Sequence, residues 1–178
     1  MGYALSAALS EAALWIEPRF DAERTLALID SQRITHAYLV ATMFVRLLAL
    51  APAVRERYDL RSLRFVASTG SPCAPEVKRR MIEWWGPVIH EAYAASELGY
   101  VTHIDADEAL CKPGSAGRAM PGVTLRVLSE EGDVLPAGRI GILYARHAAI
   151  PDFTYSHNED ARRKLETDGL WTLGDMGY

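Results

Sequence analysis

Leu63-Arg64-Phe65-Val66-Ala67-Ser68-Thr69-Gly70-Ser71-Pro72-Cys73-Ala74-Pro75-Glu76-Val77-Lys78-Arg79-Arg80-Met81-Ile82-Glu83-Trp84-Trp85-Gly86-Pro87-Val88-Ile89-His90 reads as a strand, a turn, a helix and a second strand. Residues 63–68 form an apolar, branched run of strand length, and Gly70-Ser71-Pro72 punctuates it with a turn. A helix is expected over 75–85, opened by Pro75, whose missing N–H falls where a first helical turn needs none. Val88-Ile89-His90 then starts another short strand. Just upstream, residues 37–40 give a buried strand followed by a helix over 42–51. Strand, helix, strand, helix in this order argues for a mostly parallel sheet with helices on its faces.

Working outward, residues 5–14 carry apolar side chains at helical spacing, and Trp15-Ile16 reads as a short strand closed by Pro18. Asp21 stands as an N-cap ahead of a helix over 22–30. Beyond about residue 104 the character changes. Residues 124–128 and 140–146 are strand-like, separated by the polar turn Ser129-Glu130-Glu131-Gly132-Asp133 and by Pro136-Ala137-Gly138. A polar helix is expected over 158–166, and Asp168-Gly169 turns the chain into its closing segment. The expected fold class is α/β: a mostly parallel sheet with flanking helices (1–104, a partial subdomain), followed by a small antiparallel β lobe (105–178).

With 178 residues, 49% of them hydrophobic, the chain can bury a core. A net charge of −4, spread along the chain, provides no electrostatic footprint for nucleic acid. The longest apolar stretches are too short to span a bilayer. Cys73 and Cys111 lie in unrelated contexts without metal-ligand spacing and read as reduced thiols. With no charged-then-apolar leader, the expected location is the cytoplasm. The histidines are scattered and read as structural or solvated.

Two short stretches carry the chemistry. Tyr93-Ala94-Ala95-Ser96-Glu97 sets an aromatic, small residues, a hydroxyl and a carboxylate in a row, and Trp171-Thr172-Leu173-Gly174-Asp175-Met176-Gly177-Tyr178 closes the chain. Taken alone, Tyr93 reads as core, Ser96 as a helix N-cap, Glu97 as a solvated first-turn acid and Gly174-Asp175 as a structural turn. In combination they resemble the signature motifs Y-G-x-T-E and D-G-x-x-x-T-G-D of the adenylate-forming (AMP-binding) superfamily. Ser68-Thr69-Gly70-Ser71-Pro72 resembles that family's small-residue adenine turn. Lys112-Pro113-Gly114-Ser115-Ala116-Gly117-Arg118 with Pro121-Gly122, and Leu135-Pro136-Ala137-Gly138, resemble its K-P-G-x-x-G-R-x-x-P-G and L-P-x-G segments. The resemblance covers nearly the whole chain and is nearest to acyl-CoA synthetases of the fatty-acid and bile-acid ligase type.

Such enzymes join a carboxylic acid to ATP, then pass the acyl group from the adenylate to coenzyme A. The resemblance therefore implies ATP/AMP, Mg2+ and coenzyme A as cofactors or substrates, a hydrophobic carboxylic acid as acyl donor, and no nucleic-acid partner. It assigns Asp175 to the ribose, where one carboxylate accepts from two vicinal hydroxyls. Gly70, Ser71 and Pro72 would pass along the adenine, because side chains there would occupy the space of the base. Tyr93 would offer a flat face to the ring, and Glu91 joins the nucleotide-binding set. Ser96 would meet the α-phosphate as a catalytic hydroxyl. Glu97 would be both catalytic and the magnesium ligand, a hard oxygen suited to that ion. Val40, Ala41, Thr42 and Met43 fall where such enzymes line the acyl pocket.

Departures accompany the resemblance. Ala94 replaces the motif glycine, Ser96 its threonine, and Leu173 stands where a hydroxyl residue precedes Gly-Asp. Arg139 and Ile142 occupy positions that are commonly glutamates. The family's Ser/Thr/Gly-rich phosphate loop and the lysine-bearing C-terminal domain are not in this sequence. Without them, most stabilisation of the pentavalent transition state is lost, so the isolated chain is expected to be inactive. Two main readings stay open: a piece of an acyl-CoA synthetase, or a stand-alone non-catalytic nucleotide-binding or protein-interaction module derived from one. A third, adenylation with a different acceptor thiol, is not separated from the first. Surface left bare by the missing parts is expected to favour a homo-oligomer.

Overall fold

The computed structural model describes residues 2–178. Two compact units emerge, one built from Met1–Glu91 with Asp105–Gly114, the other from Ala92–Ile104 with Ser115–Tyr178.

In the first unit, α1 (Gly2–Leu9) is followed by α2 (Ala22–Gln32). The Asp21 carboxylate accepts the Arg24 N–H at 2.8 Å, satisfying one donor that the first turn of α2 leaves over. The helix ends at Arg33, whose φ of +51° turns the chain away. Then come β1 (His36–Leu39), α3 (Ala41–Leu48) and α4 (Pro52–Arg55). The expected helix over 42–51 stops early because Ala51, preceding Pro52, is driven to extended backbone. The unit continues with β2 (Phe65–Ser68), α5 (Pro75–Trp85), β3 (Ile89–Ala95) as far as Glu91, and α6 (Ala106–Cys111).

The parallel sheet is borne out. Leu39 pairs with Ser68 at the end of β1 and β2, and Ser68 pairs with Glu91 across β2 and β3. Leu26, Phe44, Leu47, Val66, Met81 and Ile89 are fully buried in this unit. Each large apolar side chain so buried contributes roughly 1.5–3 kcal/mol. Trp15 and Ile16 form no strand and stand 51% and 76% exposed, since two isolated residues have no neighbouring strand to pair with.

In the second unit, the last residues of β3 lead through the turn Ser96-Glu97-Leu98 into β4 (Gly99–Ile104), which pairs antiparallel with β5 (Arg118–Ala119). A wholly antiparallel sheet follows. It consists of β6 (Val123–Leu128), β7 (Gly141–His147), β8 (Glu166–Thr167), β9 (Leu170–Trp171) and β10 (Met176–Gly177). The short helix α7 (Glu159–Arg163) is capped by Asn158, and the chain beyond Lys164 enters β8, so the helix expected over 158–166 is shorter. Leu98, Val101, Ala145 and Trp171 make the core, with Tyr93, Val123, Leu125, Phe153 and Leu173 packed against it. Gly117 holds a φ of +89°, and a Cβ there would strike the His103 carbonyl, so only glycine lets the chain cross β4 so closely. Among the described residues, no helix is long and apolar enough to cross a membrane.

Candidate functional site

In the first unit, the exposed turn Gly70-Ser71-Pro72 projects from the end of β2 between two buried anchors, Thr69 and Cys73. Gly70 has a φ of +91° and open space where a side chain would begin, so its backbone is accessible. Glu91 lies next to the turn because its Cα partner across the sheet is Ser68. Its carboxylate does not point into solvent. One oxygen accepts the Cys73 N–H at 3.0 Å, and the other forms an ion pair with Lys78 of α5. Both side chains of the pair are more than nine-tenths buried. Burial, and secondarily the Glu91 charge, pushes the Cys73 thiol up to about 11, so this sulfur stays protonated and unreactive at neutral pH.

Val40, Ala41, Thr42 and Met43 form the start of α3, with Thr42 exposed and the other three half-buried. Two open depressions of this unit lie elsewhere. Arg55, Arg80 and Trp84 line one and Tyr58, Arg61 and Trp85 the other, with none of the expected nucleotide residues in either.

In the second unit, two motifs far apart in the chain meet. Tyr93, on β3, donates its hydroxyl to Asp175 Oδ2 at 2.6 Å across 82 residues of sequence. Burial first, then the hydrogen bond to and the charge of Asp175, hold the Tyr93 phenol well above its ordinary value. Asp175 itself is exposed and sits just before β10, where its carbonyl accepts the Leu143 N–H at 2.8 Å. The Thr172 hydroxyl accepts the Gly174 N–H at 3.0 Å and closes the turn that presents Asp175. This threonine escapes motif matching because it stands one residue before the position where the family's hydroxyl is expected. Leu173, which holds that position, packs instead against the core.

Ser96 is exposed and Glu97 half-buried, in the turn between β3 and β4. No helix begins there, so the N-cap reading of Ser96 is set aside. The Tyr155 hydroxyl donates to Glu97 Oε1 at 2.9 Å, and this bond leads the effects that raise the Tyr155 phenol. Nothing in the local sequence pointed to Tyr155, which lies 58 residues from its partner. Ala94 and Leu173 keep negative φ, so neither departure from the motifs strains the backbone. Among the described residues no three His, Cys, Asp or Glu side chains gather as a metal cage. A single carboxylate such as Glu97 fits magnesium only in the manner of nucleotide sites, with phosphate oxygens and water completing the shell.

The family model described as AMP-binding enzyme matches residues 1–150. An indoleacetate–CoA ligase from Aromatoleum aromaticum is 32% identical over 170 residues, covering 92% of this chain and 31% of that protein. The crystal structure of an ATP-bound RpMatB-BxBclM chimera superposes with a TM-score of 0.84 at 26% identity, over 98% of this chain and 34% of the other. An o-succinylbenzoate CoA synthetase from Bacillus subtilis, solved with its acyl-adenylate intermediate, shares the fold with a TM-score of 0.85 at 20% identity, over 99% and 35% of the two chains. The chain belongs to the AMP-binding enzyme family, and it spans about a third of the length of these three proteins.

Proposed function

We propose that this chain is the adenosine-binding portion of an ATP-dependent acid–CoA ligase acting on a hydrophobic carboxylic acid of the fatty-acid or bile-acid type in the cytoplasm. In that reaction the acid's carboxylate attacks the α-phosphorus of ATP, the bond to the β-phosphate breaks and diphosphate leaves. The thiol of coenzyme A then attacks the acyl carbon and AMP departs. The observation that carries the reading is the Tyr93–Asp175 hydrogen bond, which brings the two family motifs into one place.

Asp175 accepts from the ribose hydroxyls, and Tyr93 both fixes that carboxylate and lends its ring to the adenine. Gly70, Ser71 and Pro72 offer backbone to the base. The Ser96 hydroxyl donates to the α-phosphate, and Glu97 takes the magnesium ion, which when bound neutralises phosphate charge. The half-buried Val40, Ala41 and Met43 suit the apolar acyl group, and coenzyme A is the acceptor. The adenine turn belongs to the first unit, and the Tyr93-to-Glu97 motif and the ribose carboxylate both belong to the second. Acting alone the chain binds and orients adenosine without completing the chemistry.

Calorimetry with AMP and with a non-hydrolysable acyl-adenylate analogue tests the reading. Binding is expected with the native chain and is expected to weaken by at least roughly tenfold in Asp175→Ala, the loss of about one charge-assisted hydrogen bond. Absence of binding at millimolar nucleotide sinks the proposal and favours a non-catalytic interaction module.

A further inference from the structure

The first unit buries one ion pair beside the turn that the proposed function gives to the adenine, and its arrangement is more specific than core packing requires. Lys78 comes from the first turns of α5, Glu91 from β3, and the pair leaves only 6% and 9% of the two side chains exposed. Taking two charges out of water is costly, and replacing such a pair with apolar side chains of similar size is often neutral or stabilising. What an apolar pair cannot provide is an acceptor for the buried Cys73 N–H, which donates to Glu91 Oε1 at 3.0 Å. Cys73 closes the exposed turn at its far end, while Ser68, the Cα partner of Glu91, begins it at the near end. Glu91 thus ties both ends of the projection to the sheet, its strand position paired with Ser68 and its carboxylate accepting from Cys73, and the ion pair with Lys78 holds that carboxylate in place.

We infer that Lys78 and Glu91 are positioning residues: their buried ion pair holds residues 70–73 in the shape that receives a nucleotide, with Glu91 acting through the Cys73 amide and not by touching the ligand. The nucleotide part of this inference rests on the proposed function; the clamp itself does not.

Two double variants separate the acceptor from the packing. Lys78→Met with Glu91→Gln removes both charges but keeps a carbonyl oxygen for the Cys73 N–H, whereas Lys78→Met with Glu91→Leu removes the acceptor as well. Hydrogen exchange followed by mass spectrometry is expected to show the segment around Cys73 exchanging roughly tenfold faster in the leucine variant, about the population factor of one lost hydrogen bond. The glutamine variant should stay near the native rate, and β6 to β10 should be unaffected in both. Equal rates in the two variants, fast or slow, overturn the inference.

Should neither variant fold, residue-resolved exchange in the native chain decides. The Cys73 amide must be protected to the level of β2 while the Gly70 and Ser71 amides exchange freely, and an unprotected Cys73 amide overturns the clamp. AMP calorimetry completes the test. Weakened binding in the leucine variant, restored in the glutamine variant, supports the positioning role, and native affinity in a leucine variant with a loosened turn refutes it. If the native chain binds no AMP, the nucleotide reading fails by itself, and the exchange rates still judge the clamp.

Discussion

At the scale of single residues, three carboxylates that look alike in the sequence have acquired different surroundings. Glu91 is buried against Lys78 and the Cys73 amide, Glu97 is half-buried under the Tyr155 hydroxyl, and Asp175 is exposed with Tyr93 on one oxygen. Only the latter two remain placed to meet a ligand directly, which is why Glu91 reads as an organiser of its turn. The same environment has a consequence in alkali. Burial raises the Cys73 thiol from 9.0 to about 11, so between those pH values the unfolded chain has released a proton that the folded chain keeps. The native state then binds more protons, and stability falls as pH rises through that window. Below pH 9 the contribution is fully present. Urea midpoints measured from pH 8 to 11 are expected to drop more steeply in the native chain than in Cys73→Ala, and parallel slopes would show that the thiol is not buried as described.

At the scale of elements, legibility followed how local the controlling interaction is. The strand, turn, helix and strand of residues 63–90 are readable because an apolar branched run, the Gly70-Ser71-Pro72 turn and the proline that opens α5 all act within a few residues. α6 was not read, although Asp105 with Glu108 three residues on is a legible start signal, and the Asp105 carboxylate does accept the Glu108 N–H. β4 and β5 were missed for a different reason. Their pairing depends on Gly117 allowing the chain to cross His103, a contact that spacing along the sequence does not announce. Gly117→Ala is therefore expected to cost roughly 2–4 kcal/mol, combining a positive φ with a backbone collision. Chemical denaturation monitored by tryptophan fluorescence checks this, and a loss under about 0.5 kcal/mol, the range of an ordinary surface substitution, would contradict the close approach.

At the scale of the whole molecule, each unit leaves large apolar side chains on its surface. Leu5, Leu9, Trp15 and Ile16 are exposed in the first unit, and Val134, Ile140, Met176 and Tyr178 in the second. Large exposed apolar side chains favour contacts with other protein surface. In isolation the chain is expected to self-associate, and light scattering across a hundredfold range of concentration should reveal a mass that rises above one chain. A constant monomer mass would refute it.

The amino-acid sequence by itself determined the alternation of strands and helices, the antiparallel character of the later portion and the family motifs, because caps, turns and hydrophobic period act between near neighbours. Only the tertiary structure decided which carboxylate faces which partner. Tyr93 reaches Asp175 across 82 residues, Tyr155 reaches Glu97 across 58, and Glu91 turns inward to Lys78. Those pairings are chosen by how sheets register and side chains are buried, and no local spacing in the chain encodes that outcome.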